Sequence, residues 1–97
     1  DYAKRFAAVC KECGATAVVE CWGNTVPDGK LTSFPLAVKA EPSETVVFSW
    51  ISWPSKALRD EAWAKIDKHP VMDSKTHPWP YDGRRMIYGG FDIISNV

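Results

Sequence analysis

Residues 45–53 read "TVVFSWISW", and this stretch decides the fold. β-branched and aromatic residues dominate it, and its length suits a β-strand. Successive side chains of a strand point to opposite faces of the sheet. Here both faces are apolar: one carries Val46, Phe48 and Trp50, and the other carries Val47, Ile51 and Trp53. The stretch therefore predicts a strand that is buried on both sides.

Further elements flank this strand. Upstream, residues 1–13 have a helical pattern that ends at Gly14, residues 15–22 read "ATAVVECW" and predict a strand, and "FPLAVKA" (34–40) predicts an edge strand. Downstream, Pro54 suits the first position of a helix over 55–68, which Pro70 stops. "RRMIYGGF" (84–91) predicts the last strand. The order indicates an α+β fold with an antiparallel sheet and two helices on one face.

The chain length limits how this sheet can be buried. Ninety-seven residues form a single domain, 1–97, and two short helices can bury one face of its sheet. The other apolar face then needs a second copy across a twofold axis, which predicts a homodimer. The alternative is a monomer in which an N-terminal segment preceding Asp1 folds over that face.

Composition excludes several classes of partner. Twelve Lys and Arg balance twelve Asp and Glu, so a nucleic-acid partner is not expected. No run is apolar enough for a membrane span and no signal peptide opens the chain, which predicts a cytoplasmic protein without a membrane partner. Cys10 and Cys13 lie on the apolar stripe of the first helix, and we expect them in the core. A zinc site would need Cys21 and a histidine to join them, so no metal is predicted.

Glu20 is the first candidate for chemistry. It shares a strand face with Val18 and Trp22, whereas the opposite face carries small residues that suit packing against helices. That arrangement predicts that Glu20 faces the interior between subunits. A partly desolvated carboxylate there has a raised pKa and can act as a general base. The alternative role is an ion pair with Arg84 or Arg85 that orders the interface.

The C-terminal run "HPWPYDGRRMIYGGF" (77–91) holds further candidates. His77 lies beside two aromatic residues and is a second candidate for proton transfer, although a loop histidine is more often simply solvated. His69, at a helix end, is expected to be a structural cap. The doubled glycine Gly89-Gly90 within a predicted strand indicates that a bulge, a neighbouring indole or a ligand needs the space.

Several motifs in fixed order carry a resemblance to a known family. They are "VVECW" (18–22), "VPDGK" (26–30), "AVKA" (37–40), "ETVVFSWI" (44–51), "WPSKALRD" (53–60) and "DGRRMIYGGF" (82–91). Over essentially its whole length the chain resembles the YbaA-like bacterial family of unknown function, domain of unknown function 1428. Members have a first β-strand before the first helix, and this sequence lacks it.

The resemblance implies a fold and a range of activities. The family is similar to the dimeric α/β-barrel group, built from a ferredoxin-like βαββαβ unit. Relatives in that group include cofactor-free monooxygenases, isomerases and stress proteins, so the fold alone does not select a reaction. No cofactor is implied.

The leading hypothesis is a homodimer that binds a small apolar or aromatic molecule in a cavity between its sheet and helices, with cofactor-independent oxidation or isomerisation as its chemistry if it is an enzyme. The catalytic candidates are Glu20 and His77, and the ligand-binding candidates are Trp22, Trp50, Arg84, Tyr88, Gly89 and Gly90. The alternative is a non-enzymatic stress or interaction protein whose apolar sheet face serves only dimerisation.

Overall fold

A two-stranded antiparallel sheet and three α-helices form the fold of the described part of the chain. The structure is a computed structural model that describes residues 2–73 and 79–97. In chain order its elements are α1 (Tyr2–Glu12), β1 (Ala17–Trp22), α2 (Phe34–Ala37), β2 (Val47–Ser52), α3 (Lys56–Asp67) and two 3-10 helices, Pro70–Met72 and Gly83–Arg85. The α+β class predicted from the sequence is confirmed.

The register of the sheet determines which side chains share a face. Val18 lies opposite Ile51, Glu20 opposite Ser49 and Trp22 opposite Val47. Val18 and Ile51 pack against the core that α1 and α3 build, so their face is the helix face of the sheet. The prediction that the small-residue face of β1 packs against the helices is therefore wrong. Glu20 lies on the helix side.

The core between α1, α3 and the sheet is small. Its buried members are Val9, Cys10, Ala15, Ala62, Ile66 and Val71. Cys10 is fully buried and Cys13 packs against the same cluster, which confirms the prediction that both are core residues. Gly14 has a φ of +111°, a conformation that favours glycine, and the chain leaves α1 there.

Helix α3 begins at Lys56, two residues after Pro54, which the sequence suggests as its first position. The Ser55 hydroxyl accepts a hydrogen bond of 3.1 Å from the Leu58 amide, so Ser55 is the N-cap and Pro54 lies outside the helix. After α3, His69 Nδ1 accepts a hydrogen bond of 3.1 Å from the Val71 amide and caps the next 3-10 turn. His69 thus has the structural role that was predicted, at the start of a turn rather than as a cation at the end of a helix.

The predicted strand over 34–40 is wrong, because Phe34–Ala37 forms the short helix α2. The Ser33 hydroxyl accepts a hydrogen bond of 3.1 Å from the Leu36 amide, and Pro35 lies in the first turn, where its missing N–H has no cost. The cap and the proline act together and outweigh the strand propensity of the apolar residues that follow.

The predicted last strand also differs. Gly83–Arg85 forms a 3-10 helix, and within the described part of the chain residues 86–97 form no strand. A strand requires a neighbour that accepts and donates its backbone hydrogen bonds. In the described residues β1 pairs with β2 alone, and residues 86–91 have no strand beside them to pair with.

Candidate functional site

Glu20 occupies a half-buried position in the middle of β1. Its carboxyl points to the helix side of the sheet, across from Ser49 on β2. Burial raises the pKa of Glu20 above its usual value, and a side-chain hydrogen bond with Ser49 partly opposes that rise. Hydrogen bonds to cationic side chains lower the pKa of Glu44, Asp60 and Asp82, whereas the pKa of Glu20 is raised. A carboxyl with this property retains a proton at higher pH and is a better base once it loses it.

Three other titratable side chains are linked to Glu20: Cys10 and Tyr81 electrostatically, and Tyr2 through its ring contact with Tyr81. Burial raises the pKa of the Cys10 thiol to about 11, and the charges of Cys13 and Glu20 add to the effect. Burial raises the pKa of the Tyr81 phenol, with Glu20 as the next cause and Tyr2 after it. Burial also raises the pKa of Tyr2, which Arg5 opposes. We call Tyr2, Cys10, Glu20 and Tyr81 the Glu20 cluster.

Aromatic contacts hold the two phenols of the Glu20 cluster in place. The rings of Tyr2 and Tyr81 meet edge to face with centroids 6.3 Å apart, and Trp79 meets Tyr81 in the same way at 5.8 Å. Tyr2 also stacks on Phe6, which packs against the core. The cluster therefore joins α1 and β1 to the C-terminal segment, and its walls are aromatic.

Arg85 does not contact Glu20. Its guanidinium donates to both carboxylate oxygens of Glu44 at 2.7 and 2.6 Å, to Asp82 Oδ2 at 2.8 Å and to the Lys39 carbonyl at 2.8 Å. The hydrogen bonds from Arg85 to Glu44, followed by the one that the Glu41 amide donates to it, lower the pKa of Glu44 to about 2. Arg84 is paired with Asp82 at 3.7 Å. The alternative role of Glu20 as an ion-pair partner of either arginine is therefore wrong.

The structure separates the predicted ligand-binding residues. Trp22 shares the helix face with Glu20 but is 73% exposed, whereas Trp50 lies on the opposite face of the sheet. Arg84 and Tyr88 are both almost fully exposed. These four residues do not converge on one cavity in the described part of a single chain, so their shared role as ligand-binding walls stays a prediction.

The glycine pair and His77 complete the predicted set. A side chain at Gly90 would collide with the guanidinium of Arg59, and one at Gly89 would meet the ring of Phe91 at 3.3 Å. An arginine, and not an indole, therefore occupies the space beside Gly90. His77 lies outside the described residues, and its role stays a prediction.

The second face of the sheet is apolar and open. It carries Val19, Cys21, Phe48 and Trp50, which we call the open face. Phe48 is 51% and Trp50 48% exposed, and their ring centroids are 5.9 Å apart. Phe34 of α2 extends the aromatic row, 6.2 Å from Phe48. The two-sided apolar character predicted from residues 45–53 is thus present, and the described residues leave this side uncovered.

The described residues form a polar and an aromatic cleft on the surface. A polar cleft of about 520 Å³ is lined by Lys39, Glu41, Asp82, Arg84 and Arg85. A smaller cleft of about 220 Å³ at the end of the sheet is lined by Cys21, Trp22, Gly23, Asn24, Thr25, Val26, Phe34, Val46 and Phe48. Neither is lined by Glu20. The aromatic cleft borders the open face, and the polar one lies around the Arg85 ion pairs.

Other kinds of site find no support in the part of the chain that the structure describes. Within residues 2–73 and 79–97, no group of three or more His, Cys, Asp or Glu could hold a metal ion. The described helices are also too short or too polar for any of them to cross a membrane.

The sequence does not indicate that Tyr81 interacts with Glu20, and it suggests Glu20 as the ion-pair partner of Arg85, which pairs instead with Glu44 and Asp82. In the described part of the chain, four secondary-structure elements separate Tyr81 from Glu20, and no local pattern signals that the two interact. For Arg85 a local signal did exist. Asp82 precedes it in an Asp-Gly-Arg-Arg turn, where the side chain of Asp82 accepts a hydrogen bond from the Arg84 amide at 3.0 Å.

Fold and site together define a small α+β protein with one open apolar sheet face and a titratable cluster on the other. Comparison with known sequences identifies the family. The chain belongs to the family described as "Protein of unknown function (DUF1428)", whose profile matches residues 1–83. It is 52% identical over 94 residues to the "Uncharacterized protein YbaA" of Escherichia coli K12, a match that covers 97% of this chain and 80% of the relative. The proteins of the same name from Escherichia coli O157:H7 and Shigella flexneri match equally well.

Proposed function

We propose that the chain forms a homodimer through its open face and that each copy binds a small, largely apolar or aromatic molecule beside Glu20, between the sheet and the helices. The observation that carries the binding site is the raised pKa of Glu20 among the aromatic walls of the Glu20 cluster. Perturbed carboxyls of this kind concentrate at functional sites.

The dimer follows from the open face. Phe34, Phe48 and Trp50 form a contiguous aromatic row that is about half exposed, and an isolated two-stranded sheet is marginal in water. A second copy is the occupant with matching chemistry, because a twofold axis would place the same apolar row against itself. The aromatic row of the open face would then no longer meet water.

A ferredoxin-like unit accounts for the unpaired segment. One edge of β2 and residues 86–91 both lack a strand neighbour in the described part of the chain. One further strand between them would pair with both, and the βαββαβ unit of the resembled group has such a strand. These two unpaired edges support the proposal of that fold, and three free thiols suit the reducing cytoplasm.

The Glu20 cluster also supports a catalytic role as a second candidate. Glu20 can accept a proton from a bound molecule, and the Tyr81 phenol is a hydrogen-bond donor on the same side of the sheet. Proton transfer of this kind would serve a cofactor-independent isomerisation. His77 is the second proton-transfer candidate from the sequence, and we keep it as a proposal for the same site.

A thermal-shift screen of small aromatic compounds tests the binding site. A molecule that binds the folded state raises the melting temperature by mass action. We expect hits with the wild-type chain that lose their shift in Glu20→Gln and keep it in Glu61→Gln, a surface carboxyl of α3. Hits that shift all three proteins equally would place the binding elsewhere, and a screen without hits would favour the alternative of a protein that serves only for dimerisation.

A further inference from the structure

We infer that Arg85 is a positioning residue, which holds residues 79–85 against the helix side of the sheet so that Tyr81 stays beside Glu20. This inference rests on the proposed Glu20 site and adds a residue that acts on the site from outside it. Arg85 itself touches Glu44, Asp82 and Lys39 and none of the members of the Glu20 cluster.

The hydrogen bonds of Arg85 join parts of the chain that are far apart in sequence. Glu44 and Lys39 lie 41 and 46 residues away in sequence, in the loop between α2 and β2. The fork of the guanidinium matches the two oxygens of Glu44, which is a directional arrangement that a lysine cannot reproduce. Arg85 therefore fixes the C-terminal segment to the loop that leads into the sheet.

Asp82 links Arg85 to Tyr81. Asp82 Oδ2 accepts a hydrogen bond from Arg85 Nε at 2.8 Å, while Asp82 Oδ1 accepts from the Arg84 amide at 3.0 Å. Asp82 directly follows Tyr81, so the position of one limits the position of the other. Within the described residues, the backbone hydrogen bond of this segment is internal, from the Arg85 amide to the Asp82 carbonyl. Side chains thus attach the segment to the rest of the protein.

We infer that Tyr81 shields the Glu20 carboxyl from water. Ser49 lies opposite Glu20 in the sheet and hydrogen-bonds to it, and Glu20 acts electrostatically on Cys10 of α1 and on Tyr81, whose ring meets that of Tyr2 at 6.3 Å. Ser49 and Cys10 belong to the packed sheet and helix. Tyr81 is the member of the set that a displaced segment would carry away, and water would then reach the carboxyl.

The sign of the effect separates positioning from direct charge. Loss of a positive charge near a carboxylate raises the pKa of the carboxyl, whereas loss of burial lowers it. If Arg85 acts through Tyr81, its removal lowers the pKa of Glu20, against the direction of the charge effect. Arg84 is the matched control, because it is the neighbouring arginine, is almost fully exposed and makes no contact with Glu44.

The experiment is a carboxyl-detected NMR titration of Glu20, assigned with Glu20→Gln, in the wild-type chain and three variants. We expect the pKa of Glu20 to fall towards its ordinary value in Arg85→Ala and to stay unchanged in Arg84→Ala. Arg85→Lys keeps the positive charge but cannot form the two-pronged hydrogen bond to Glu44, so we expect a smaller fall in the pKa of Glu20. This variant keeps the test usable if Arg85→Ala does not fold.

The outcomes separate the two proposals. If Glu20 has an ordinary pKa in the wild-type chain, the proposed Glu20 site fails. If its pKa is raised in the wild-type chain and equally raised in the folded Arg85 variants, the site stands and the positioning role of Arg85 is overturned.

Discussion

Replacement of Trp50 by alanine is expected to weaken the homodimer strongly. Trp50 lies in the middle of the open face and is 48% exposed. A large aromatic side chain carries up to about 250 Å², so roughly 120 Å² of Trp50 is left for a partner to bury. At about 25 cal/mol per Å², this area corresponds to about 3 kcal/mol for each copy and about 6 kcal/mol for the pair.

This energy sets an upper limit on the change in the dissociation constant. Because about 1.4 kcal/mol changes an equilibrium constant tenfold, Trp50→Ala should raise the dimer Kd by up to about 10⁴-fold. Sedimentation equilibrium over a range of concentrations measures this constant. Trp22→Ala is the matched control, since Trp22 is more exposed than Trp50 but lies on the helix face. We expect the Trp22 variant to keep the wild-type Kd.

Two results would refute the reasoning. A Trp50→Ala protein that dimerises as tightly as the wild type would show that the open face is not the interface. Equal weakening by Trp22→Ala and Trp50→Ala would show that loss of any exposed tryptophan disturbs the dimer, and the assignment of the open face would fail.

Three further predictions concern stability. Burial raises the pKa of Glu20 in the folded state, so the wild type should lose stability relative to Glu20→Gln as the pH rises from the ordinary pKa of Glu to the raised one. Urea unfolding of both proteins at several pH values measures this difference. A difference that stays constant with pH argues against the raised pKa. Ile66 is fully buried, so Ile66→Ala should cost about 2–5 kcal/mol in the same assay, and a cost below about 1 kcal/mol would contradict the core assignment. The Ser55 cap predicts a loss of about 1 kcal/mol for Ser55→Ala and only a few tenths for Ser55→Gly; equal losses in thermal unfolding would show that the hydroxyl does not cap α3.

The sequence predicts the elements that have strong periodicity. Helices α1 and α3 and strands β1 and β2 form where apolar spacing and β-branched residues place them. Cys10 is in the core because its position on the apolar stripe of α1 outweighs the redox spacing it shares with Cys13. In these cases local and tertiary preferences agree.

The failures have a common cause, which is that the deciding contacts lie far away in sequence. Val18 and Val19 are equally apolar, so the pattern of β1 cannot indicate which face the helices will bury. Residues 84–91 have strand propensity but form no strand, because no described strand lies beside them. The contact of Tyr81 with the Glu20 cluster depends on the path of the whole C-terminal segment, which Arg85 fixes through Glu44.

The solution mass of the wild-type chain tests the dimer most directly. Multi-angle light scattering behind a sizing column, over a wide dilution series, measures it without labels or substitutions. We predict a particle of twice the chain mass that dissociates only on strong dilution. A mass of one chain at every concentration, with the tryptophans still accessible to a quencher, would contradict the proposal that the open face is buried by a second copy.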